Sequence, residues 1–352
     1  MQKKNALIFM LAALLGASLL ALGCSSEPSP PAAGGGGSPA AEKAPDKTYT
    51  VRLGDITAPG DVLNVSLEEL AKALNERSGG RLKASVYPSG QLGSLRTMTE
   101  ALQNNTLEIA TQSPGGVASF WPVMGALELP YLYESHQEVY EVVDGPIGQE
   151  LSQKFLEKTG VRILSYWENL FRQTTNNVRP IRVLEDFKGL KLRVPETKTV
   201  METIQSLGAN PTPMAFSEVY TGLSQGTIDG QENPFSVVYS AKLYEVQKYL
   251  SVTKHVYSPV IIMASEEWYQ SLPEDLRKIL DEEMAVAQKK ARELAEKTDE
   301  ELKTKLAEMM EVNEVDLTGF REAVQPVYDS LISGAGQEAA DYIQRIGEQL
   351  GR

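Results

Sequence analysis

Phe187-Lys-Gly-Leu-Lys-Leu-Arg193-Val-Pro195 is the stretch that decides the fold. Leu190, Leu192 and Val194 alternate with Lys191 and Arg193, which is the period of a strand, and Pro195 halts it. An arginine therefore stands at the carboxyl end of a strand, and in open α/β sheets ligands bind beyond those ends. A guanidinium there offers a planar fork that matches a carboxylate bidentately, which lysine cannot copy. A surface arginine paired with a nearby acid has the same spacing, so this stretch alone leaves both readings open.

On the N-terminal side, Asn169-Leu-Phe-Arg172-Gln-Thr-Thr puts a second arginine just after the apolar strand Val161-Arg-Ile-Leu-Ser165. On the C-terminal side comes Gly208-Ala-Asn-Pro-Thr-Pro-Met-Ala-Phe216-Ser217-Glu-Val-Tyr220. Its two prolines hold the entry extended, and Ser217 is expected to cap the next helix. Gly230-Gln-Glu-Asn233-Pro234 reads as a turn. There Asn233 either caps a helix starting at Pro234 or turns its amide to a ligand at that helix N-terminus. Trp167, five residues before Arg172, is a stacking platform or a core residue.

The rest of the chain repeats one rhythm. Residues 49–53 alternate as a strand, Ser66 to Asn75 reads as a helix, Arg81 to Tyr87 as a strand and Leu95 to Gln103 as a helix. Strands alternating with helices predict α/β layers with a mostly parallel sheet. LQNNTLEIA from Leu102 and LSQGTIDGQ from Leu223 echo each other as helix end, turn and strand. From Pro273 no proline or glycine occurs until Gly319, and apolar residues recur at three- and four-residue steps. A helix of about 40 residues would reach about 60 Å, enough to brace two lobes.

The 352 residues carry 34 Lys+Arg against 47 Asp+Glu, a formal charge of −13, with 42% hydrophobic and 23% charged residues. That balance fits a soluble protein of about two folded units. An acidic chain without a Lys/Arg-rich run lacks the footprint of a nucleic-acid binder. One cysteine excludes a disulfide framework, and two histidines offer little to a metal. There is no G-x-S-x-G, P-loop or H-E-x-x-H, so no catalytic residue, cofactor or metal site is assigned.

The N-terminus reads as an export segment. Lys3 and Lys4 precede an apolar run from Ala6 to Leu22, and the lone cysteine closes LALGC at Cys24. This resembles a bacterial lipobox, although Ala21 departs from its usual leucine. The expectation is a signal peptide over 1–23 and lipidation of Cys24. Of residues 25–47, 18 of 23 are Pro, Gly, Ser or Ala, the composition of a flexible tether. The membrane would be met only through that lipid, on a periplasmic or other extracytoplasmic face.

RQTTNN, FKGLKLRVP, GANPTPMAFSEVY, DGQENP and KLYEVQKYLSVTKH together resemble the solute receptors of tripartite ATP-independent periplasmic (TRAP) transporters. The resemblance is to the sialic-acid and C4-dicarboxylate receptor family. It extends through YPSGQLGSLRTM, ELPYLYES and LPEDLRKIL, covering essentially all of 48–320. It implies an α/β, two-lobed Venus-flytrap fold with a long helix contacting both lobes. Lobe I would comprise 48–170 plus 257–297, and lobe II 171–256 plus 298–352. It implies a receptor, not an enzyme, that captures a small organic acid for a TRAP permease. By the same resemblance Arg193 pairs with the ligand carboxylate, Arg172 is a second anion contact, Asn233 completes the clamp and Phe216 packs on the ligand body. Glu196, three after Arg193, would face the cleft and help set specificity. Ser113 stands where the sialic-acid type has an acid, and Ser94 and Leu95 replace an acidic pair, which disfavours sialic acid itself. Uronates, hydroxy acids, amino-acid-like acids and sulfonates stay open.

Overall fold

The computed structural model describes residues 47–352, so Cys24, the apolar leader and all but the last residue of the tether lie outside the described residues. Among the described residues eleven strands run in chain order: β1 (Tyr49–Gly54), β2 (Leu82–Tyr87), β3 (Ile109–Gln112), β4 (Val161–Trp167), β5 (Gln173–Asn176), β6 (Lys191–Val194), β7 (Asn210–Pro213), β8 (Gly230–Asn233), β9 (Tyr249–Val252), β10 (Val260–Ser265) and β11 (Glu311–Glu314). They form two sheets, ordered β2-β1-β3-β10-β4 and β11-β9-β5-β8-β6-β7.

The parallel sheet expected from the sequence holds only in part. β1 runs parallel to β2 and β3, and β6 runs parallel to β7 and β8. β10, however, is antiparallel to β3 and β4, and β5 is antiparallel to β8 and β9. The chain leaves the first sheet after β4 and returns after β9. A strand arriving from the other sheet enters from the opposite end and so runs against its neighbours.

The two crossings lie side by side. Phe171 bridges to Tyr257, and the Arg172 N–H donates to the Val256 carbonyl at 2.9 Å. Leu170 (φ 64°) and Lys254 (φ 42°) hold left-handed conformations in these two connections. Side chains with a Cβ adopt that region at a cost, and such strain gathers where a chain must turn for function.

Helices cover the sheets. Val62–Arg77 starts at Asp61, whose carboxylate accepts the Leu63 N–H at 2.9 Å, and so begins before the expected Ser66. Leu95–Gln103 matches its expectation, capped by Ser94. The sequence echo is also seen in space. Thr106 follows one helix end with its N–H on the Ala101 carbonyl at 2.9 Å, and Thr227 follows the other with its N–H on the Gly222 carbonyl at 3.0 Å.

The long helix is Glu274–Ala307, 34 residues rather than 40, or about 50 Å. Its end is set by tertiary pairing, because Glu311 then donates to the Lys248 carbonyl at 2.9 Å and starts β11. Leu276, Leu280, Met284, Ala287 and Ala291 pack into the core behind the first sheet. Leu302 and Leu306 pack with Leu250 and Val252 of the second. One helix thus touches both lobes. β11 pairs with β9, whereas Gln325–Ala335 and Gln337–Gln349 lie on the first lobe's helices, with the Tyr328 hydroxyl on the Pro130 carbonyl and the Tyr342 hydroxyl on Glu150, both at 2.8 Å.

Candidate functional site

A cavity of about 440 Å³ lies between the two sheets, within the size range of small-molecule sites. Strand ends build its walls. The first sheet contributes Asp55 after β1 and Thr111 and Ser113 at β3; the second contributes Arg193 of β6, Asn233 of β8 and Arg172 before β5.

Arg172 is 5% exposed and is already paired. Its Nε and Nη2 meet the two carboxylate oxygens of Glu232 at 2.5 and 2.8 Å, and Nη2 also donates to the Glu232 carbonyl at 2.7 Å and to Asn233 Oδ1 at 3.1 Å. His255 continues the chain, with Nε2 3.1 Å from Glu232 Oε2 and Nδ1 2.8 Å from Thr253 Oγ1. Burial pushes the Glu232 carboxyl up, but Arg172 and His255 more than offset it and hold it at about 2. Burial works against the Arg172 charge as well, and the Glu232 carboxylate overcomes it, so the guanidinium stays firmly protonated.

Arg193 has a different environment. It is 3% exposed, and its Nε and Nη2 both donate to the Met214 carbonyl, at 3.0 and 2.7 Å. No carboxylate among the described residues lies within ion-pair distance of it. The Phe216 ring centroid is 5.7 Å away. Burial lowers its pKa to about 10, with Glu232 pulling it back up and Arg172 pushing it down. A buried cation without a paired acid is costly, and an anion in the cavity would relieve it.

The other expected residues are distributed unevenly. Phe216, Glu196 and Ser113 all line the cavity. Glu196 is exposed at its mouth, and Ser113 caps Pro114–Val117 by accepting the Gly116 N–H at 3.0 Å. Asn233 is the last residue of β8 and does not cap a helix. Pro234 holds the N-cap position of Phe235–Ser240, and the Asn233 amide donates to Gln231 Oε1 at 2.5 Å. Ser217 lines the cavity but lies inside the short turn Phe216–Glu218 and caps nothing. Trp167 does not reach the site. It is 0% exposed in the first sheet's core, and its Nε1 donates to Ser165 Oγ at 3.1 Å, so the stacking-platform reading is corrected to a core residue.

The sequence did not single out Asp55, Glu128, Thr197 or Glu232. Asp55 accepts hydroxyl protons from Thr57 and, at 3.0 Å, from Thr111. Glu128 accepts the Gly115 N–H at 2.6 Å and the Ser258 hydroxyl. A Cβ at Gly115 would collide with that carboxylate, so glycine lets the acid sit there. Burial pushes both carboxyls up. Their signal was available only as acids in apolar surroundings, Leu-Gly-Asp-Ile and Leu-Glu-Leu, which many surface positions share. Among the described residues no group of three metal-binding side chains occurs, and no helix is long and apolar enough to cross a membrane.

Residues 53–334 match the family profile "Bacterial extracellular solute-binding protein, family 7". The sialic acid-binding periplasmic protein SiaP of Vibrio cholerae is 36% identical over 296 residues, covering 82% of this chain and 90% of that protein. The sugar acid binding protein DctPAm of Advenella mimigardefordensis, solved with galactonate, superposes with a TM-score of 0.82 at 32% identity, over 86% of this chain and 99% of that one. A TRAP solute-binding protein of Sulfurospirillum deleyianum, solved with succinate, gives 0.80 at 28% identity, over 85% and 98%. With the paired sheets, the bracing helix and the arginine-walled cavity, this match shows that the chain belongs to the family-7 bacterial extracellular solute-binding proteins, the solute receptors of TRAP transporters.

Proposed function

We propose that this receptor captures a small organic acid by its carboxylate and delivers it to a TRAP membrane permease. The observation that carries the reading is Arg193, a buried guanidinium that, among the described residues, gives its hydrogen bonds to one carbonyl and has no acid at ion-pair distance. Its Nη1 edge is left for the ligand. Arg172, paired with Glu232, lines the cavity beside it, Asn233 holds Arg172 in place, and Phe216 offers a face to the ligand body. The acids named with related receptors, sialic acid, galactonate and succinate, all carry a carboxylate, which supports the same chemistry here.

The lobes of this reading are 48–170 plus 257–297 and 171–256 plus 298–324, turning about the crossings at Leu170 and Lys254; residues 325–349, expected in the second lobe, pack on helices of the first instead. A ligand that touches both walls stabilises the closed arrangement by its differential affinity, and closure is what a permease can read. The leader, Cys24 and the tether support a further step, in which the mature receptor is lipid-anchored outside the cytoplasm. Mass spectrometry of ligand co-purified with the soluble fragment from Lys47 tests the main reading. A neutral sugar as the tightest ligand would overturn it. Mass analysis of the mature N-terminus tests the anchor, which fails if Cys24 carries no lipid.

A further inference from the structure

We propose that the cavity selects a monocarboxylic polyhydroxy acid, with one charged end and a run of hydroxyls, and that Asp55 and Glu128 exclude a second carboxylate. The proposal rests on the reading of Arg193 as the anion site and narrows the ligand class it takes.

The charges on the cavity wall lead to it. Three arginines line the space: Arg96, Arg172 and Arg193. Arg172 is neutralised by Glu232 at 2.5 Å, and exposed Arg96 is engaged by Glu100 at 3.0 Å. Among the described residues Arg193 remains, one cation for one anion. Three acids line the same space, Asp55 and Glu128 buried and Glu196 at the mouth. Asp55 follows β1 on the first sheet, whereas Arg193 belongs to the second, and Glu128 lies on the first lobe close enough to Arg172 to feel its charge. A ligand held by Arg193 and spanning the cleft therefore meets carboxyl groups on the first lobe.

A second carboxylate there would meet like charge in a poorly solvated space, which is how binding sites reject wrong partners. Neither Asp55 nor Glu128, ionised or neutral, supplies a cation. Hydroxyls suit the same wall. Each carboxylate oxygen of Glu128 uses one protein donor and has a further lone pair. Thr197 adds an independent sign. It lines the cavity, is 3% exposed, and its hydroxyl has no hydrogen-bond partner among the described residues. Buried hydroxyls are almost always partnered, so this one marks a place for a ligand group. Phe216, Met214 and Val260 cover the C–H faces between the polar ends.

Calorimetry on the intact receptor should use a panel of six-carbon aldonates, the aldarate of each, adipate and hexanoate. The expected result is one or more aldonates bound at least tenfold tighter than their aldarates, adipate or hexanoate. Asp55→Asn and Glu128→Gln should each reduce the aldonate-over-aldarate preference at least threefold, because each keeps a hydrogen-bonding group and removes a charge. Folding of each variant is checked by its melting curve, and the two variants are independent tests. A dicarboxylate or hexanoate bound as tightly as the best aldonate overturns this proposal. If that binding is still lost in Arg193→Ala, the organic-acid reading survives. A preference unchanged in both folded variants overturns the roles of Asp55 and Glu128. Binding of no organic acid removes the organic-acid reading and this inference with it.

Discussion

Arg172 and Arg193 look alike in the sequence, each near the edge of a short strand, and the fold uses them in opposite ways. Arg172 has its own carboxylate, Glu232, in a two-pronged pair closed off by His255. Arg193 has a carbonyl and an aromatic ring and, among the described residues, no acid at ion-pair distance. The first is an internal structural ion pair. The second is one half of an ion pair whose other half the ligand would bring. A buried arginine is thus not by itself evidence of an anion site; the absence of a protein partner is what distinguishes one.

The largest expected effect is on stability. Arg172→Ala would leave Glu232, 0% exposed, with its main counter-charge gone. Breaking one partner of a buried pair costs about 3–5 kcal/mol, to be read by urea unfolding of the ligand-free receptor. A loss below about 1 kcal/mol would show that the pair does not hold the fold. Arg193→Ala should do the reverse. Ligand binding weakens by about 2–5 kcal/mol, the scale of truncating a buried charged contact, while unfolding stability stays near the parent or rises. Arg193→Lys should rescue binding only partly, since an ammonium keeps the charge and loses the fork. Equal binding by parent and Arg193→Ala would end the contrast.

Acid and base should separate the two arginines too. Glu232 is held at about 2, below its ordinary value of 4.5, so its contribution to stability is present above that ordinary value. It is lost as pH falls from there toward 2, by up to about 3 kcal/mol for a shift of that size. Glu232→Gln should flatten that acid limb. Arg193, lowered to about 10, must be protonated to hold an anion, so ligand affinity should fall as pH rises through that value. An affinity constant between pH 8 and 11 would argue against Arg193 as the anion partner.

Much of this was legible in the residues because periodic segments report their own burial. The strand Lys191–Val194 and the helix Leu95–Gln103 fell where the sequence put them, since apolar periodicity is a local signal. The cavity position of Arg193, Phe216 and Glu196 came from motif resemblance rather than periodicity. What the sequence hid was mostly long-range. The direction of β10 depends on the chain's return to the first sheet only after β5 to β9 have been laid down in the second, and no local pattern encodes it. Trp167 belongs to the core because β4 turns that face toward Leu276 and Met284, more than a hundred residues away. The Arg172–Glu232 pair joins residues 60 apart, so neither could be read as the other's partner.

Asn233 offers the smallest and finest test of the contrast. Its Oδ1 accepts from Arg172 Nη2 at 3.1 Å, and its amide donates to Gln231 Oε1 at 2.5 Å. Asn233→Ala therefore removes a neutral brace from Arg172, which Glu232 still holds, and touches no hydrogen bond of Arg193. Ligand affinity should fall by about 1 kcal/mol, the net value of one hydrogen bond. Stability should fall by about 1–3 kcal/mol, because Gln231 Oε1 is left buried without its donor. Calorimetry and urea unfolding on the same sample give both numbers. If the binding loss equalled that of Arg193→Ala, Asn233 would be a principal ligand contact. The division between a structural arginine pair and a ligand-facing arginine would then have to be redrawn to include the β8 end.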